Sequence, residues 1–174
     1  MAERLTAEQW VDFGLKTLAR QGFTALKADL LAKALGVSRG SFYWHFADLE
    51  AFLDALIERW RVRATEWIMA EIDQMAPSRR LPALLDRAFS ADISLEMAIR
   101  AWGASNRQVR QAAEEVDTLR LSYVEDLLAA DGLTTVAAKA RLIYWAYLGF
   151  VLSGGKAGQP VLNELLNSVR VRPN

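Results

Sequence analysis

Between Arg39 and His45 the chain sets Arg39, Gly40, Ser41, Tyr43, Trp44 and His45 into barely two helical turns, crowding a guanidinium, two hydroxyls, an indole and an imidazole together. The chemistry this permits is recognition. A guanidinium donates two parallel bonds to guanine O6 and N7, and a glycine lets backbone approach a groove closely. Tyr43 and His45 suit phosphate oxygens, as do Lys27 and Ser38 near helix N-termini, whereas Trp44 could meet a base, a sugar or its own protein. His45 has a second reading as a structural hydrogen-bonding group. Catalysis finds little to work with. The chain has no cysteine and one histidine, which excludes thiolate sites and ordinary multi-histidine centres. Neighbouring acids such as Glu114 and Glu115 diverge by about 100° on a helix and do not converge on a substrate. The expectation is a protein that is not an enzyme, with no metal and no cofactor.

These side chains need a scaffold. Phe42 and Phe46, at i and i+4, share one face of the same short helix and can anchor it, which leaves Arg39, Gly40, Tyr43 and Trp44 to project elsewhere. Ser38 is placed to cap that helix, and Leu35-Gly36-Val37 supplies the glycine where the preceding helix, Lys27 to Leu35, must stop. Two helices meeting at a tight turn, the second exposing an arginine and aromatics, fit a helix-turn-helix whose second helix enters the major groove. Upstream, Thr6 and Gln9 have capping-box spacing, Trp10, Phe13, Leu15 and Leu18 recur at helical intervals, and Gly22 ends the run.

Downstream, Asp48 is a plausible cap for a fourth helix over about 48–75, closed by Pro77, a rod of about 40 Å at 1.5 Å per residue. Further helices are expected at about 81–90, 95–104, 107–130, 136–153 and 160–169, with Asn106 and Thr135 as caps and Gly132 as a terminator. Nothing alternates with period two for long enough to suggest a sheet, so the expected class is all-α. With 174 residues and 52% hydrophobic content the chain can bury a substantial core. The longest charge-free run, Leu142 to Gly155, is short of the roughly 20 residues a membrane span needs, so no membrane association is expected. The charged N-terminal residues lack an apolar signal core, which makes the cytoplasm the expected location. Formal net charge is zero, and residues 1–47 carry six basic against four acidic groups, a mild +2.

The stretch G-V-S-R-G-S-F-Y-W-H-F-A-D-L-E-A-F-L-D-A-L resembles the DNA-binding signature of the tetracycline-repressor (TetR) family. The resemblance covers roughly residues 5 to 58. It implies a three-helix head, residues 1–47, and a helical regulatory and dimerisation domain, residues 48–174. It further implies a homodimer on a double-stranded, palindromic DNA operator, most simply a repressor that a small apolar or aromatic effector releases. The alternative is a helical small-molecule sensor or interaction module with weak or lost DNA binding. Two departures stand out: Leu49 occupies the region where a lysine is common, and Asp29 lies where many members have threonine or a basic residue. In the second domain Trp67, Phe89, Met97, Trp102 and Tyr123 are candidates for an effector pocket, with plain core packing as the competing reading. Leu142, Trp145, Gly149, Leu152, Leu162, Leu165 and Leu166 are candidates for a dimer seam.

Overall fold

The computed structural model describes residues 5–155 and 159–170. Its elements are helical: α1 (Ala7–Gln21), a 3-10 turn (Phe23–Ala25), α2 (Ala28–Ala34), α3 (Arg39–Tyr43), α4 (Leu49–Ala64), α5 (Glu66–Asp73), α6 (Pro77–Ser90), α7 (Ser94–Gly103), α8 (Arg107–Ala130), α9 (Val136–Leu152) and α10 (Gln159–Arg170). No strand occurs among the described residues, so the all-α class holds. By contacts the chain forms two compact units. One comprises the chain up to Val62 together with Ser94–Ala113, and the other comprises Arg63–Ile93 and the chain from Glu114 on.

Local chemistry explains where the head's helices begin and end. Thr6 accepts from the Gln9 backbone N–H at 3.2 Å while the Gln9 side chain accepts from the Thr6 N–H at 2.7 Å, a reciprocal cap that satisfies two otherwise orphaned donors. At the other end of α2, Gly36 adopts φ +69°, a left-handed conformation that glycine takes without steric penalty. That geometry lets the Gly36 N–H reach the Lys33 carbonyl and the Val37 N–H reach the Ala32 carbonyl, closing the helix before the turn. Asp48 caps α4 as expected, accepting from the Ala51 N–H at 2.8 Å.

The head is packed around Phe42, which is fully buried. Its ring lies 5.4 Å from Trp10, 5.3 Å from Phe46 and 5.2 Å from Phe52, so α1, α3 and α4 share one aromatic cluster. Pairs of this kind add about 0.5–1.5 kcal/mol each beyond the area they bury. Gly14 makes the α1–α4 approach possible: a Cβ there would sit 2.6 Å from Phe52 Cζ and 2.9 Å from a Leu56 methyl. An Arg59–Asp12 ion pair at 3.2 Å ties the same two helices at their rim. In this unit α7 also packs on α1, and Trp102 stacks on Phe23 with centroids 6.2 Å apart.

The second unit has its own core, built from Leu81, Leu85 and Phe89 of α6, Leu127 and Leu128 of α8, and Ile143, Phe150 and Val151 of α9. α10 contributes Leu162 and Val169 to the same core. The expected continuous helix over 48–75 is divided. Thr65, buried and at φ −129°, ψ −80°, leaves helical geometry, and its carbonyl accepts from Met69 N–H to start α5. A β-branched residue of low helix propensity stands at the break, but no glycine or proline advertises it. Pro77 opens α6 at its first turn, where a missing N–H costs nothing, in place of merely closing the helix before it. Arg80 then donates to the Asp73 and Met75 carbonyls at 2.8 and 3.1 Å, satisfying the exposed end of α5. Thr135 stands at the N-cap of α9 as expected, but it is left-handed, at φ +55°, and its hydroxyl bonds the Thr134 carbonyl, so the cap makes no side-chain bond to α9.

Candidate nucleic-acid interface

The turn between α2 and α3 determines which side chains face out. Phe42 and Phe46 point inward and are buried, so Tyr43 and Trp44, the residues between them, must point away and are 44% and 66% exposed. Arg39 and Gly40 open α3 and are exposed, while Ser41 is half-buried. A Cβ on Gly40 would come within 3.7 Å only of the Ser38 hydroxyl, so the backbone of the first turn presents an uncovered surface. Ser38 stands at the N-cap with extended geometry, φ −72° and ψ 151°, but its side chain makes no capping bond. The reason is local: Ser41 N–H bonds the Ser38 carbonyl at 3.0 Å, leaving the exposed hydroxyl to other partners. Lys27 occupies the N-cap of α2, exposed and in extended geometry.

Arg39 is held at its base. Its Nε donates to Asp29 Oδ1 at 2.9 Å across the turn, and its Nη2 donates to the Tyr43 hydroxyl at 3.1 Å. The guanidinium carbon also lies 5.3 Å from the Tyr43 ring centre. The Tyr43 hydrogen bond, followed by the Asp29 carboxylate, raises the guanidinium pKa above its ordinary value. Sequence reasoning saw Asp29 only as an acid close to phosphates. Its pairing depends on the angle at which α2 and α3 meet across the glycine turn, and the opposite charges on consecutive helices were the available signal.

His45 is placed differently from its neighbours. Half-buried, it sets Nε2 2.6 Å from the carbonyl oxygen of Leu5, forty residues earlier in the chain. A carbonyl only accepts, so Nε2 carries the proton, and the neutral ring then has an acceptor at Nδ1. Only the doubly protonated ring could also donate to a phosphate. The structural role, fastening the lead-in to α1 onto the end of α3, is therefore the one the geometry serves. Asp48 and Glu50 follow directly, so the start of α4 is acidic, and Leu49 offers no cation there.

The other candidates separate. Met97 and Trp102 lie on α7 in the unit that contains α3, whereas Trp67, Phe89 and Tyr123 belong to the second unit. Trp67 is 52% exposed beneath the Arg63 guanidinium, and Tyr123 donates to Asp73 Oδ1 at 2.8 Å. Burial, with the Asp73 bond adding to it, pushes the Tyr123 phenol above its ordinary range. The second unit does hold a cavity of about 480 Å³, lined by Phe89, Ala146, Phe150, Val161, Glu164, Leu165 and Ser168. Of the expected pocket residues only Phe89 reaches it. Leu142, Trp145, Gly149 and Leu152 form one exposed stripe along α9, at 56%, 64% and 71% exposure for the three large side chains. Leu162, by contrast, is buried in its own unit's core, and Leu165 and Leu166 are half-buried against that core.

The head also has counterparts among known proteins. The sequence profile described as bacterial regulatory proteins, tetR family, matches residues 11–56. The chain is similar to the HTH-type transcriptional regulator YwcC of Bacillus subtilis, 30% identical over 83 residues, covering 48% of this chain and 37% of that protein. It is similar to the HTH-type transcriptional regulator AcrR of Shigella flexneri, 31% identical over 71 residues, covering 41% of this chain and 32% of that protein. The chain thus matches about a third of the length of these curated relatives. Its fold is similar to that of E. coli NemR in its reduced form, with a TM-score of 0.79, 19% identity, and 97% of this chain and 99% of that one covered.

Proposed function

We propose that this chain, whose residues 11–56 match the profile of the tetR family of bacterial regulatory proteins, is a member of that family and a sequence-specific DNA-binding transcriptional regulator acting as a homodimer on a palindromic operator. The observation that carries this reading is α3 itself. Its apolar side is locked into the aromatic cluster by Phe42, while Arg39, Gly40, Tyr43 and Trp44 are exposed on the first side chains a major groove would meet. In this reading Arg39 reads a base edge, Gly40 and Ser41 bring backbone and hydroxyl to the groove, and Lys27, Ser38 and Tyr43 grip phosphates. Trp44 packs against sugar or base. His45 supports the helix from behind through its bond to the Leu5 carbonyl.

A second copy fits the α9 stripe. Ala138, Leu142, Trp145, Gly149 and Leu152 recur at alternating spacings of four and three, the pattern of a helix seam, and all are exposed. An apolar stripe of that size on one helix face is a protein contact surface, and two-fold pairing would present two α3 helices to two half-sites. The cavity beside Phe89 and Phe150 has the volume of a site for a small apolar effector, with Glu164 and Ser168 as its polar groups. Release of DNA by such an effector requires that it bind the released conformation more tightly than the bound one.

Selection of bound sequences from a random duplex pool at two salt concentrations tests the reading. Enrichment of a palindromic consensus whose affinity falls steeply with salt is expected. Absence of any enriched sequence would overturn it in favour of a sensor without DNA recognition.

A further inference from the structure

We propose that Asp29 determines specificity in the operator contact by holding the Arg39 guanidinium in its base-reading orientation. The proposal rests on the reading of α3 as the recognition helix. Asp29 lies on α2, and its carboxylate takes the Nε–H of Arg39 at 2.9 Å while the Tyr43 hydroxyl takes an Nη2–H at 3.1 Å. Both side chains of the ion pair are largely exposed, at 62% and 66%. A pair so exposed contributes little to fold stability, which leaves orientation as what it supplies.

The donor count shows what is oriented. A guanidinium carries five N–H donors, and with one on Nε and one on Nη2 engaged, both on Nη1 and one on Nη2 remain. Those are at the far end of the fork, where a bidentate contact to guanine O6 and N7 is made. An arginine free in solvent would lose rotamer freedom when it docks, whereas one held at Nε and Nη2 has already lost it. Charge works in the same direction. Paired with Asp29, Arg39 is a poor general phosphate clamp, because the adjacent carboxylate repels the backbone of every sequence alike. The pair thereby lowers affinity for arbitrary DNA while keeping the directional contact, and the ratio between operator and random sequence rises.

Asp29→Asn, nearly isosteric on an exposed helix face, separates this role from a structural one. Affinity for random duplex should rise, and discrimination at one base position per half-site should fall about three- to tenfold. In an Arg39→Ala background the same substitution should leave base preference unchanged. In the free native chain the Arg39 Nε–H resonance, assigned through its loss in Arg39→Ala, should stand apart from exposed arginines and rejoin them in Asp29→Asn. Base discrimination that is unchanged or increased in Asp29→Asn overturns the proposal, as does an Arg39 resonance indistinguishable from the others. A loss of preference that persists without Arg39 also overturns it, since Asp29 would then read a base itself. If the native chain enriches no sequence, the regulator reading fails and takes this inference with it. Enrichment by the native chain with full preference retained in Asp29→Asn removes this inference alone.

Discussion

At the residue scale the proposed function divides the side chains from Arg39 to His45 into groups expected to touch DNA and groups that hold α3 in place. Arg39→Ala is expected to cost about 1–3 kcal/mol of discrimination at one base position, because a bidentate donor is lost from a single base edge. Lys27→Ala should weaken every sequence alike and reduce the salt slope by about one, as removal of a phosphate contact does. Titration of operator and random duplex against both variants over a range of salt checks the two together. Equal losses on both duplexes for Arg39→Ala would remove its base-reading role. His45 belongs to the supporting group, since its Nε2–H satisfies the Leu5 carbonyl. His45→Ala should lower stability by about 1 kcal/mol, measured by urea unfolding, by leaving that carbonyl without its partner.

At the element scale the governing contact is α3 on α1 and α4 through Phe42. Phe42→Ala opens a cavity in a fully buried aromatic cluster and is expected to cost about 3–5 kcal/mol, a large share of a domain's roughly 5–15 kcal/mol. The variant should lose DNA binding through loss of the head's fold, visible as a fall in thermal midpoint before any operator assay. Gly14→Ala tests the same packing from the opposite side. Its new methyl would stand 2.6 Å from the Phe52 ring, and the overpacking should cost about 1–3 kcal/mol in a denaturant titration even though alanine favours helix. Phe42, Phe46 and the Gly36 turn were legible in the sequence because side-chain period and glycine termination act within a few residues. Gly14 was not, for its role depends on a helix that begins thirty-five residues later. The division of the expected fourth helix at Thr65, a buried residue, was equally hidden, because no glycine or proline marks it.

At the scale of the whole molecule the open question is what covers α9. Its buried side packs on its own unit through Ile143, Phe150 and Val151, and its other side exposes Leu142, Trp145 and Leu152. Trp145→Arg introduces a charge into the centre of that stripe without touching α3. If the stripe is the seam of a dimer, sedimentation should show a monomer at concentrations where the native chain is a dimer. Operator affinity should then fall steeply, because each half-site is held by one head alone. A variant that still sediments as a dimer would place the seam elsewhere.

The sequence by itself determined the all-α class, the cap at Thr6, the stop at Gly36 and the exposed side of α3, since each depends on periodicity or backbone chemistry over a handful of residues. Tertiary structure alone decided which groups those side chains meet. It joined Asp29 to Arg39 across a turn and His45 to Leu5 across forty residues, and it turned Leu162 inward while leaving Leu152 exposed. It also dispersed the aromatic residues expected to share one pocket, placing Trp102 against Phe23 and Tyr123 against Asp73. The physical reason is the same in each case: a hydrogen bond or a buried face needs a partner brought by another element, and the angle between elements is set by how their side chains pack.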